Sequence, residues 1–150
     1  MEYAVTLEQR VEQPAAVVRG RVAVEGLPAF LGGAFGEVGA ALAAQNLAPA
    51  GPPFGRYRVV EDGFDVEAGF PASGTVAGTG RVEPSALPGG PVATTTHVGS
   101  YDGVAAAYEA VTEWVESAGY TVDGEPWECY LDGPEVAEPR TLVCFPCTQR

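Results

Sequence analysis

The chain has 150 residues, enough for one domain with a real core, and its 46% hydrophobic and 19% charged content is that of a folded globular protein. Against 20 acidic residues it sets 8 arginines and no lysine, for a net charge of −12, a sign that argues against direct nucleic-acid binding and suits a cationic ligand or a basic partner. No stretch reads as the ~20 apolar residues of a membrane span, and the opening Met1-Glu2-Tyr3-Ala4 is unlike a secretory leader, so the expectation is a soluble cytoplasmic protein with no membrane partner.

In chain order, an extended stretch from Tyr3 to Val11 comes first. The β-branched run Ala16 to Val24 predicts a strand, closed by Gly26. A helix is predicted from Pro28 to about Asn46, with Leu27, Leu31, Phe35, Val38 and Leu42 at helical spacing and Pro28 in the first turn, where a missing N–H costs nothing. Gly51-Pro52-Pro53 breaks the chain, and two strands follow, Phe54 to Glu61 and Phe64 to Pro71, joined by a tight turn at Asp62-Gly63.

The linker Ala72 to Gly80 leads into a second extended stretch, Arg81 to Leu87, and the plan then repeats. Val92 to Val98 is a strand, Gly99 a break, and Ser100 or Asp102 caps a helix to about Ala118 whose apolar stripe is Val104, Tyr108, Val111, Val115 and Ala118. Tyr108 and Trp114 read as core packing on that helix. Gly119 stops it in the position where glycine is favoured, and strands Trp127 to Leu131 and Arg140 to Pro146 complete the unit. The repeat predicts an internally duplicated α+β fold. Two strand–helix–strand–strand units, about 1–71 and 81–150 within one domain 1–150, would form a pseudo-twofold antiparallel sheet with two helices and a central ligand cleft.

Glu128 is the residue that stands out. Side chains alternate along a strand, so Glu128 and Tyr130 share one face of Pro126-Trp127-Glu128-Cys129-Tyr130-Leu131 while Trp127, Cys129 and Leu131 share the other. A carboxylate among such bulky apolar groups needs a partner. Arg56 or Arg140 at a strand edge would supply one; otherwise the charge awaits a cationic ligand. The lone His97, before Gly99, reads as structural. Cys144-Phe145-Pro146-Cys147 has redox CxxC spacing, but no helix can follow to activate the first thiol, so these cysteines also read as structural. No cofactor or metal site is expected.

His97-x-Gly99-x-Tyr101, Gly119-Tyr120, Glu128-x-Tyr130 and the late Thr141…Pro146 resemble the GyrI-like small-molecule-binding fold, also known as the effector-binding domain of multidrug-responsive transcription activators. The first half is similar through Gly51-Pro52-Pro53-Phe54-Gly55-Arg56-Tyr57 and Phe64 to Pro71. The resemblance implies an aromatic cleft in which a carboxylate meets lipophilic cations. Glu128 stands at the matching position, Tyr130 and Tyr57 on the cleft strands, Tyr101 at the start of the second helix, and Phe70 among the aromatic lining candidates. Where the family often reads Thr-Glu-x-Tyr, this chain reads Thr141-Leu142-Val143-Cys144, and Glu67, related to Leu142 by the repeat, is the candidate to restore a carboxylate.

What the resemblance implies about function is a stand-alone binder of small hydrophobic, cationic or aromatic molecules, reporting to a partner or sequestering its ligand. One alternative is a hydrolase of cyclopropane-containing genotoxins, using Glu128 and Tyr130 to activate water. A gyrase-inhibitor-like protein interaction is a further alternative.

Overall fold

The computed structural model describes residues 3–133 and 135–150. The fold is α+β, mostly antiparallel sheet with two helices. It divides into two compact units, one made of Glu12–Leu87 and the other of Met1–Val11 with Pro88–Arg150.

The Glu12–Leu87 unit holds β2 (Gln13–Val22), α1 (Leu27–Ala44), β3 (Phe54–Val60), β4 (Gly63–Pro71) and β5 (Val82–Leu87). Its strands run in the order β3-β4-β2-β5, all antiparallel. The alternation of β4 sends Val66 and Ala68 to the core face, where α1 lays down Ala34, Val38, Ala41 and Leu42. Helix α1 ends on Asn46, a non-glycine residue at φ 59°, and Leu47 N–H closes on the Leu42 carbonyl at 2.9 Å. That is the left-handed cap asparagine tolerates. The β3–β4 loop is Glu61-Asp62, one residue earlier than expected, because Gly63 already pairs with Val60. At Gly63 (φ +151°) a Cβ would lie 2.2 Å from the Val22 carbonyl oxygen, so only glycine fits.

The stretch Val24–Ala44, 21 residues long, is by length and composition alone apolar enough to cross a membrane. The sequence reading overlooks it, because five glycines and many alanines dilute its aliphatic character. In the fold it packs its buried residues on the sheet of its own unit.

The other unit holds β1 (Thr6–Arg10), β6 (Gly90–Val98), α2 (Val104–Ser117), β7 (Tyr120–Val122), β8 (Trp127–Tyr130) and β9 (Arg140–Gln149). Its order is β1-β6-β9-β8, with β7 pairing the far end of β9. Its core joins Ala107, Val111 and Val115 of α2 to Ala93, Val143 and Phe145 of the sheet. Ser100 caps the short 3-10 turn before α2, accepting from the Asp102 N–H, and Gly119 at φ +84° ends the helix as expected.

The units are not the two sequence halves. The first strand, β1, pairs with β6, and β5 pairs with β2, so each extended stretch joins the other half's sheet. Strand pairing follows edge complementarity rather than chain proximity, which local patterning does not reveal.

Candidate functional site

Strand β8 pairs with β9 so that Tyr130 lies opposite Thr141, Glu128 opposite Val143 and Trp127 opposite Cys144. Strand β6 continues the rows, with His97 opposite Thr141 and Thr95 opposite Val143. Glu128, Tyr130, Thr141, Val143, Thr95 and His97 therefore share the sheet face that α2 covers. Leu142 and Cys144, the two departures from the family pattern, fall on the opposite face with Trp127 and Cys129.

Glu128 is half-buried, and two neutral hydroxyls hold its carboxylate. Tyr108 of α2 donates to Oε2 at 2.6 Å, and Tyr130 donates to Oε1 at 3.1 Å. Burial pushes the Glu128 pKa above the usual carboxylate range; the tyrosine hydrogen bonds and a smaller contribution from His97 oppose it. Neither arginine considered from sequence answers it. Arg140 pairs with Asp132 at 2.8 Å and Arg56 with Glu67 at 2.9 Å.

Two aromatic contacts extend the group. Tyr101, in the turn before α2 and 39% exposed, stands edge-on to Tyr130 with ring centroids 6.0 Å apart. Its pKa is raised by burial and by the charges of Glu135, Asp132 and Glu128. Tyr108 packs edge-on to Phe145 at 5.4 Å. Sequence reasoning placed Tyr108 in the core and missed its hydroxyl. The signal was present: one tyrosine in an otherwise aliphatic stripe needs a polar partner for its O–H.

The other predicted residues belong to the Glu12–Leu87 unit. Tyr57 stands edge-on to Phe64 at 5.8 Å and lies over Gly55, where a Cβ would meet its hydroxyl oxygen at 2.5 Å. Phe70 stands edge-on to Phe35 at 5.9 Å, against the α1 core. Glu67 receives Arg56 and Ser85, each at 2.9 Å, with Arg19 at 3.6 Å. Burial pushes its pKa up, but Arg56, Ser85 and Arg19 together bring it below the ordinary range. Glu67 is thus neutralised within its own unit.

His97 is buried, with Nε2 2.7 Å from the Ser100 carbonyl oxygen and Nδ1 2.9 Å from the Tyr3 hydroxyl. A carbonyl only accepts, so Nε2 carries the proton; in the neutral ring Nδ1 accepts from Tyr3. Both nitrogens are spent on structure. Cys144 and Cys147 lie three residues apart on one strand, which places them on opposite faces; Cys147 joins the α2 core. Among the described residues, no group of three or more His, Cys, Asp or Glu could hold a metal ion.

Residues 3–147 match the GyrI-like small molecule binding domain. The chain belongs to that family. This GyrI-like chain is similar to the EcmrR C-terminal domain at 23% identity and a TM-score of 0.85, covering 100% of each chain. It spans 58% of the EcmrR chain in the cryo-EM structure of the EcmrR–DNA complex, with 99% of its own length aligned, 23% identity and a TM-score of 0.82. A structure of SAV2435 bound to tetraphenylphosphonium matches over 99% of this chain and 94% of that one, at 15% identity and a TM-score of 0.64. A Listeria innocua protein described as a hydrolase aligns over 96% of this chain and 91% of its own, at 12% identity and a TM-score of 0.73. At these identities the likeness is one of fold. No curated protein matches the GyrI-like chain.

Proposed function

We propose that this GyrI-like domain binds small hydrophobic cations, with the Glu128 carboxylate as counter-charge and the Tyr130 and Tyr101 rings as apolar walls. One observation carries the reading: Glu128 sits in surroundings that raise its pKa, held by tyrosine hydroxyls rather than by a guanidinium. A cation brought beside it would supply the neutralising charge that Tyr108 and Tyr130 do not. Aromatic faces add up to about 2 kcal/mol for a desolvated cation. That SAV2435 is bound to tetraphenylphosphonium, itself a lipophilic cation, supports the choice of ligand class.

Fluorescence titration with a planar dye cation tests this. Glu128→Gln keeps the side-chain shape and is expected to weaken binding by tenfold or more, about 1.4 kcal/mol or above, with the circular dichroism spectrum unchanged. Equal affinity in the two proteins would sink the reading.

The raised Glu128 pKa also favours a second reading, in which the carboxylate and Tyr130 activate water against a strained cyclopropane-containing alkylator. Incubation followed by mass spectrometry would show a product heavier by one water. Recovery of intact compound alone would rule it out.

A further inference from the structure

On the α2-covered face, the polar side chains around Glu128 have partners, with one exception. Tyr108 and Tyr130 donate to Glu128, Tyr3 and the Ser100 carbonyl hold His97, and Thr95 donates to the Ala4 carbonyl at 2.8 Å. Thr141 Oγ1 has none among the described residues, although the residue is fully buried. The register sets Thr141 directly between Tyr130 and His97, diagonal to Glu128. A buried hydroxyl left unpaired is destabilising, whereas a valine of the same shape would not be. The fold therefore keeps a hydrogen-bonding group unused beside a tyrosine-held carboxylate.

We propose that Thr141 is a second polar anchor of the Glu128 site and that it selects cations carrying N–H donors over fully substituted ones. The proposal rests on the reading of Glu128 as the ligand's counter-charge. Both groups can accept: the carboxylate through its oxygens, the hydroxyl through its lone pairs. Diagonal neighbours on paired strands are about 7–8 Å apart at the backbone and closer at the side chains, within reach of one compact head group. An amidinium or primary ammonium presents several N–H donors around one charge and satisfies both acceptors at once. A quaternary ammonium or a tetraarylphosphonium uses the charge of Glu128 but offers Thr141 nothing.

Isothermal titration of the full chain with benzamidinium and with N,N,N′,N′-tetramethylbenzamidinium separates the two effects, since ring and charge are kept while the N–H donors are lost. Wild type is expected to prefer benzamidinium by about tenfold or more, the scale of discrimination by a buried hydrogen-bonding group. Thr141→Val should narrow the preference severalfold by weakening benzamidinium alone, leaving the part owed to N–H donation to Glu128, while Thr141→Ser keeps the full preference. Thermal unfolding, unchanged or raised in Thr141→Val, shows that the fold is retained. If both cations bind, Glu128→Gln abolishes both and Thr141→Val leaves their ratio untouched, the role of Thr141 is overturned and that of Glu128 stands. If wild type binds neither, both readings fall.

Discussion

The Tyr108 hydroxyl, on α2, donates to Glu128 Oε2, on β8, at 2.6 Å. This single bond ties the helix to the strand across the core and lowers the pKa that burial raises. Tyr108→Phe keeps the edge-on packing against Phe145 and removes only the donor. The Glu128 pKa should rise further, and the fold should lose about 1.5–3 kcal/mol, the worth of a hydrogen bond to a charged group. A carboxyl-carbon NMR titration reads the first effect and denaturant melts the second. An unmoved titration midpoint would show that the bond is not formed in solution.

Glu128 should set a pH dependence of stability with an unusual sign for a carboxylate. Its folded-state pKa is raised, so the folded chain holds the proton more tightly than the unfolded one. Its contribution is fully present below the unfolded value of about 4.3 and is lost as pH rises through the folded value. Glu128→Gln, neutral throughout, escapes that loss. Relative to wild type, the variant should therefore gain stability as pH rises from about 4.3 through the raised folded-state value, in guanidinium melts. A difference constant with pH would mean that the carboxylate is effectively solvated.

Glu67 should behave in the opposite sense. Burial raises its pKa, but Arg56, Ser85 and Arg19 outweigh this and leave it lowered. Its contribution is present above the unfolded value of about 4.3 and lost as pH falls through the folded value. Glu67→Gln leaves Arg56, 13% exposed at its side chain, without its carboxylate. The expected cost is about 1–3 kcal/mol at neutral pH, closing toward zero in acid. Parallel melts of Glu67→Gln and Glu128→Gln would show the two slopes of opposite sign.

Two glycines separate close approach from mere flexibility. A Cβ at Gly69 would lie 1.9 Å from the Ala16 carbonyl oxygen, within the β4–β2 pair. Gly69→Ala must push the strands apart and is expected to cost about 3 kcal/mol. At Gly33, on α1, a Cβ would meet nothing within 4 Å. Gly33→Ala should stabilise by about 0.5–1 kcal/mol, because alanine gives up less backbone freedom in a helix. Thermal melts of both variants check the contrast, and similar shifts in one direction would refute it.

What the sequence alone determined is what depends on near neighbours along the chain. The 3.6-residue stripe Val104, Tyr108, Val111, Val115 identified α2 and its buried face, and the period-two alternation of Trp127 to Tyr130 put Glu128 and Tyr130 on one side of β8. Ser100, Gly119 and Pro28 marked helix ends because caps and fixed dihedrals act within a turn. The order and spacing of these elements were enough to point to the GyrI-like family.

Only the tertiary structure decided which groups meet. The Tyr108 hydroxyl reaches Glu128 across 20 residues, Tyr3 reaches His97 across 94, and Glu67 is claimed by Arg56 and Ser85. The allotment of β1 to β6 and of β5 to β2, and the isolation of the Thr141 hydroxyl between Tyr130 and His97, belong to the same class. These pairings are set by strand register and helix docking. A one-residue slip would turn every side chain to the other face while leaving the local pattern unchanged. Local periodicity thus placed the Glu128 carboxylate and Tyr130 on one face; the packing of α2 over that face added the Tyr108 hydroxyl.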